Sequence, residues 1–102
     1  MMKLLIVTVV EEYHKDIIQL FKDANIENFS ESDIDGHKTA GSLLMTSNWF
    51  PSEKGAADSR LFFSFTEGDK IDAAFELIKE YNKSLITYNP IKAIVVPIEK
   101  YI

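Results

Sequence analysis

His37 and Lys38 are adjacent, and together they offer an imidazole and an ammonium group to a ligand. Such a pair can hydrogen-bond an anion, and the imidazole can also ligate a metal ion. Asp35 stands two residues before His37, so on a strand their side chains share a face and form a possible metal pair. Arg60 is the only arginine in the chain. Its planar guanidinium suits an anionic ligand or, closer to hand, the Asp58 carboxylate. His14 has Glu11 and Glu12 nearby and reads either as a weak metal patch or as a solvated helix face. A solvated surface histidine is the plain alternative for His37 as well.

A second group is apolar. Leu43, Leu44, Met45, Trp49 and Phe50 fall within Thr39 to Asp58, a stretch with no clear element that contains Gly41, Pro51 and Gly55. One reading is a partner-docking loop, in which an aromatic such as Trp49 is a favoured anchor. The other is a strand over Leu43 to Phe50 packed within the protein's own assembly.

Composition removes several classes of chemistry. The chain has 102 residues, 16 acids against 11 bases and a net charge of -5. One domain is expected, and nucleic-acid binding, which rests on clustered bases, is not. The absence of cysteine excludes disulfides, thiolate metal sites and thiol catalysis, and it fits a cytoplasmic setting. The apolar run Leu4 to Val10 is too short to insert in a membrane, which takes about 20 residues. Two histidines without a nucleophile motif give no catalytic set. The chain reads as non-enzymatic.

The elements that must position these residues follow from periodicity. The β-branched run Leu4 to Val10 predicts a buried strand. Tyr13, Ile17, Leu20, Phe21 and Ala24 recur at spacings of three and four, which predicts a helix over Glu11 to Ala24 with Asn25 as its stop. Ile26 to Lys38 is polar and acidic and reads as an edge strand. Ser59 to Thr66 predicts a third strand. Asp69 reads as the N-cap of a second helix, with the apolar stripe Ile71, Ala74, Phe75, Ile78, Tyr81 and Leu85. After the turn Tyr88-Asn89-Pro90 comes a last strand, Ile91 to Ile98. The order β-α-β-β-α-β predicts an α+β, ferredoxin-like sandwich: an antiparallel sheet, its first and third strands central, with both helices on one face.

Two helices cover one face, yet both faces are apolar. Leu4, Ile6 and Val10 oppose Leu5, Val7 and Val9 in the first strand, and Leu61, Phe63 and Phe65 oppose Phe62 in the third. In the last strand Ile94, Val96 and Ile98 oppose Ile91, Ala93 and Val95. Soluble monomers do not expose such a patch, so an oligomer whose sheets pack together is expected.

The chain resembles the PII-like superfamily, the trimeric signalling proteins that include the nitrogen regulators and the CutA-type divalent-cation-tolerance proteins. The resemblance rests on Met2 to Val10 as first strand, the long insertion after the second strand, the Gly68-Asp69 helix start, and the ending Asn89 to Lys100. That ending is similar to small PII-like proteins associated with heavy-metal efflux transporters. The resemblance implies a single PII-like domain over 1-102, with 39-58 in the place of the T-loop, and a homotrimer. It implies small-ligand binding at the subunit cleft, near His37, Lys38 and Arg60, and control of a partner protein such as a membrane transporter through the loop. The Gly-rich B-loop of PII nucleotide sensors, T-G-x-x-G-D-G-K, has no counterpart in Tyr81 to Pro90, which lacks glycine. The usual ATP or ADP binding is therefore not carried over, and no cofactor is assigned. Thr39 to Asp58 lacks tyrosine, so uridylylation is not carried over either. The alternatives are CutA-like metal binding through His37 and Asp35, and an amino-acid-binding module of ACT type, which shares the element order.

Overall fold

The computed structural model describes residues 1–37, 56–85 and 89–102. Four strands form one sheet: β1 (Met2–Val10), β2 (Ser30–His37), β3 (Ala56–Glu67) and β4 (Lys92–Pro97). Their order is β2-β3-β1-β4, and every pairing is antiparallel. Two helices, α1 (His14–Asp23) and α2 (Gly68–Lys83), cross between strands, and a 3-10 turn (Glu11–Tyr13) leads into α1. This is the expected sandwich with β1 and β3 at its centre.

Register fixes which side chains face the helices. Val7 lies opposite Phe62 on one side and Ala93 on the other, and Leu5 lies opposite Ser64 and Val95. Leu5, Val7, Val9 and Phe62 are buried against Ile17, Leu20 and Phe21 of α1 and Ile71, Ala74 and Ile78 of α2. Phe62 is the hub of this core. Its ring meets Phe21 edge-on at 5.5 Å and Phe29 at 5.7 Å, and it stacks on His14 at 5.8 Å.

The opposite face is apolar and open. Leu4 aligns with Phe65 and Val96, and Ile6 aligns with Phe63 and Ile94. Phe63 is 38 % exposed, Phe65 55 %, Ile94 40 % and Val96 37 %.

Helix α1 stops where the sequence predicted, by a Schellman motif. Asn25 has φ 62. Its N–H donates to the Lys22 carbonyl at 3.0 Å, and the Ile26 N–H donates to that of Phe21 at 2.9 Å. Ile26 and Phe21 are both buried, which supplies the hydrophobic contact that accompanies this motif.

Several boundaries differ from the sequence reading. Ile26 belongs to the α1–β2 connection rather than to the edge strand, because its side chain completes the core. Ala56 to Asp58, expected in the loop, extend β3, where β2 offers them His37, Gly36 and Asp35 as ladder partners. Asp69 is not the N-cap of α2. That position is Glu67, without a side-chain cap, and the Gly68 N–H instead donates to the Met1 carbonyl at 3.2 Å.

Candidate functional site at the head of the β2–β3 ladder

The β2–β3 ladder places Asp33 opposite Arg60, Asp35 opposite Asp58, and His37 opposite Ala56. Asp33, Asp35 and His37 therefore share the face of the sheet that carries Arg60. Between them lies a cleft of about 320 Å³, lined by Glu11, Asp33, Ile34, Asp35, Asp58, Ser59 and Arg60. The lining carries four carboxylates and one guanidinium.

Arg60 is engaged through two of its three nitrogens. Its Nε donates to Glu11 Oε1 at 2.8 Å and lies 3.0 Å from Asp33 Oδ1, while Nη1 donates to Glu31 Oε1 at 3.1 Å. His14 Nε2 donates to the same Glu31 carboxylate, 3.0 Å from Oε2, with its ring against Phe62. The cluster ties the turn before α1 and the first residue of α1 to β2 and β3. The Arg60 hydrogen bond holds the Glu11 carboxyl below its ordinary range. The Glu11 carboxylate in turn is the main reason that Arg60 holds its proton more tightly than usual.

The structure thus brings Asp35 and Arg60 to one cleft and sets His37 on the same sheet face. His37 is four residues beyond Asp33 along β2, about 13 Å away. It is exposed. Lys38, Leu43, Leu44, Met45, Trp49 and Phe50 lie outside the described residues. The pairing of Arg60 with Asp58 does not form, because the register sets Asp58 against Asp35 and gives Arg60 to Asp33, Glu11 and Glu31. His14 and Glu31 are members that the residue pattern did not single out as partners. The signal was faint: the alternating acids Glu31, Asp33 and Asp35 had to meet some cation across the ladder, and Arg60 is the only residue on β3 that carries one. Among the described residues, no group of three or more His, Cys, Asp or Glu side chains is arranged to hold a metal ion.

No family model and no curated protein matches the chain in sequence. Solved structures do match in fold. A DUF3240 family protein from Shewanella baltica OS155 superposes with a TM-score of 0.67 at 16 % identity, covering 98 % of this chain and 92 % of its own. The periplasmic divalent cation tolerance protein CutA from Archaeoglobus fulgidus gives 0.64 at 16 %, covering 100 % of this chain and 88 % of its own. CPII, a nitrogen regulatory PII-like protein from Thiomonas intermedia K12 bound to ADP, AMP and bicarbonate, gives 0.62 at 8 %, covering 99 % and 96 %. The chain has the ferredoxin-like fold of the PII-like and CutA proteins. Among the described residues no helix is long and apolar enough to cross a membrane.

Proposed function

We propose that this protein is a non-enzymatic, cytoplasmic regulator of PII-like type, a single-domain homotrimer whose 39-58 segment acts as a T-loop. The observation that carries the reading is the open row of Leu4, Ile6, Phe63, Phe65, Ile94 and Val96 on a sheet whose other face is covered by helices over its central strands β1 and β3. Packing three such faces around a common axis removes them from water. It also brings the head of the β2–β3 ladder to a subunit boundary, where a small ligand or ion binds beside His37 and Lys38.

Arg60 has a structural part in this reading, since its charge is spent on Glu11, Glu31 and Asp33. It fixes the floor of the cleft from which the loop departs. Ligand binding shifts the loop between two states, and the loop then holds or releases a protein partner, a membrane transporter in the first instance. Leu43, Leu44, Met45, Trp49 and Phe50 supply the apolar contact. Deleting Leu43 to Phe50 should abolish capture of that partner in a pull-down, and unchanged capture overturns the mechanism.

A CutA-like metal function is the second reading, favoured by one observation: Asp35 and Asp58, two like charges, face each other across the ladder. A divalent cation there, with His37 near, would relieve them. Calorimetry with copper and zinc on the wild type and His37→Ala separates the two readings. Heat that the substitution reduces supports the metal site, and no heat, or heat it leaves unaltered, removes it.

A further inference from the structure

The helical layer carries a second feature on its outer surface. A shallow groove of about 470 Å³ runs between α1 and α2, lined by Asp16, Gln19, Leu20 and Asp23 from one helix and Leu77, Glu80 and Tyr81 from the other. The α1 residues are spaced three, four and seven apart, and those of α2 three and four apart, so each set is one stripe of its helix. Leu77 and the Tyr81 ring form a narrow apolar floor, with Leu20 buried beneath it. The charged side chains on the walls are all acidic. The Tyr81 hydroxyl donates to Asp16, and Gln19 Nε2 donates to Asp23 Oδ1 at 3.0 Å. Both bonds leave carboxylate lone pairs for an outside donor. Lys83 reaches Glu80 only at 3.5 Å, from a highly exposed position. The Tyr81–Asp16 bond bridges the two walls at one end of the groove, and no cation lines it.

We propose that this groove docks a basic amphipathic helix of a partner protein, independently of the loop and its cleft. Its acidic walls and narrow apolar floor are the complement of such a helix. The α1 side of the groove extends about 10 Å, which is about two helical turns. A third helix laid there places apolar side chains at i and i+4 on Leu77 and the Tyr81 ring, both of which are only partly buried. Its Lys and Arg side chains then reach Asp16, Asp23 and Glu80 on either wall. The apolar floor is small and the walls are charged, so binding is governed by electrostatics and falls with salt.

The probe is a fluorescein-labelled helical peptide of Leu and Lys, with Leu at i, i+4 and i+7, beside the same peptide with Glu in place of Lys. The Lys peptide should bind the wild type, with amide shifts at Gln19, Leu20 and Leu77. Its affinity should fall about tenfold or more in the double variant Asp23→Lys, Glu80→Lys, and by a similar factor when salt rises from about 0.05 to about 0.3 M. Both positions are exposed, and the amide shifts of the wild type decide the site even if the variant folds poorly. The proposal is overturned by absence of binding, by equal binding of the Glu peptide, by unchanged affinity in a folded double variant, or by shifts confined to Glu31, Asp33 and Asp35.

Discussion

Arg60 lies directly across the β2–β3 ladder from Asp33, and the guanidinium Nε sits 3.0 Å from that carboxylate while donating to Glu11 at 2.8 Å. One side chain therefore joins the edge strand, the central strand β3 and the turn that opens α1. Arg60→Met should lower the melting temperature by no more than a few degrees, because Glu11 and Asp33 lose their cation but are exposed, while Glu31 keeps His14. The pH dependence has a definite sign. Glu11 has a folded pKa below its unfolded one. Its contribution is thus complete above the unfolded value, about 4.3, and is lost as pH falls through the folded value. Urea midpoints of wild type and Arg60→Met should differ at neutral pH and converge as the pH falls through the folded pKa of Glu11. A gap that persists in acid would mean that Arg60 acts through packing.

Tyr81 joins the two helices through its bond to Asp16 and its edge contact with Tyr13 at 6.0 Å. Burial, and then Asp16, push its phenol well above the ordinary range. Its folded pKa therefore exceeds its unfolded one. The stabilisation it gives is present below about pH 10 and is lost as pH rises through the folded value. Tyr81→Phe should cost about 1–2 kcal/mol at neutral pH and flatten the alkaline limb of the stability curve, read by urea denaturation at several pH values.

Phe62 is fully buried between Phe21, Phe29 and His14. Truncating it empties the junction of α1 with β2 and β3. Phe62→Ala should cost about 3–5 kcal/mol in chemical denaturation, a large share of what a small domain has. Phe63→Ala, one residue on and on the open face, should leave the monomer's own core unchanged.

Asn25 occupies the left-handed region. Asn25→Gly should be neutral or slightly stabilising, whereas Asn25→Ala should cost about 1 kcal/mol, because a β-carbon without a polar tip disfavours that conformation. Thermal melts of the two variants check the difference.

Much of the fold was legible because its signals are local. The alternation of Leu5, Val7 and Val9 with Leu4 and Ile6 named both faces of β1, and the three-and-four spacing from Tyr13 to Ala24 named the buried stripe of α1. Asn25 as the stop follows from its tolerance of positive φ. What was not legible depends on distant pairing. Asp69 has the chemistry of an N-cap, but a backbone carbonyl from Met1, brought alongside by the β1–β3 ladder, meets Gly68 first. Arg60 was bound to find a carboxylate. Which one is decided by register, and a shift of two residues would have given it Asp35. Glu31 joined the cluster through the same register, two residues along β2 from Asp33, and His14 through the packing of its ring on Phe62, which no local pattern encodes.

In the proposed trimer the open sheet face is covered by copies of the same chain. Multi-angle light scattering on the purified protein tests it most directly, with Phe63→Glu beside it. A trimer gives a wild-type mass of three times 11.6 kDa, and the variant should be a smaller, still folded species. A wild-type monomer or dimer at working concentration would contradict it and leave Phe63, Phe65, Ile94 and Val96 in need of another cover.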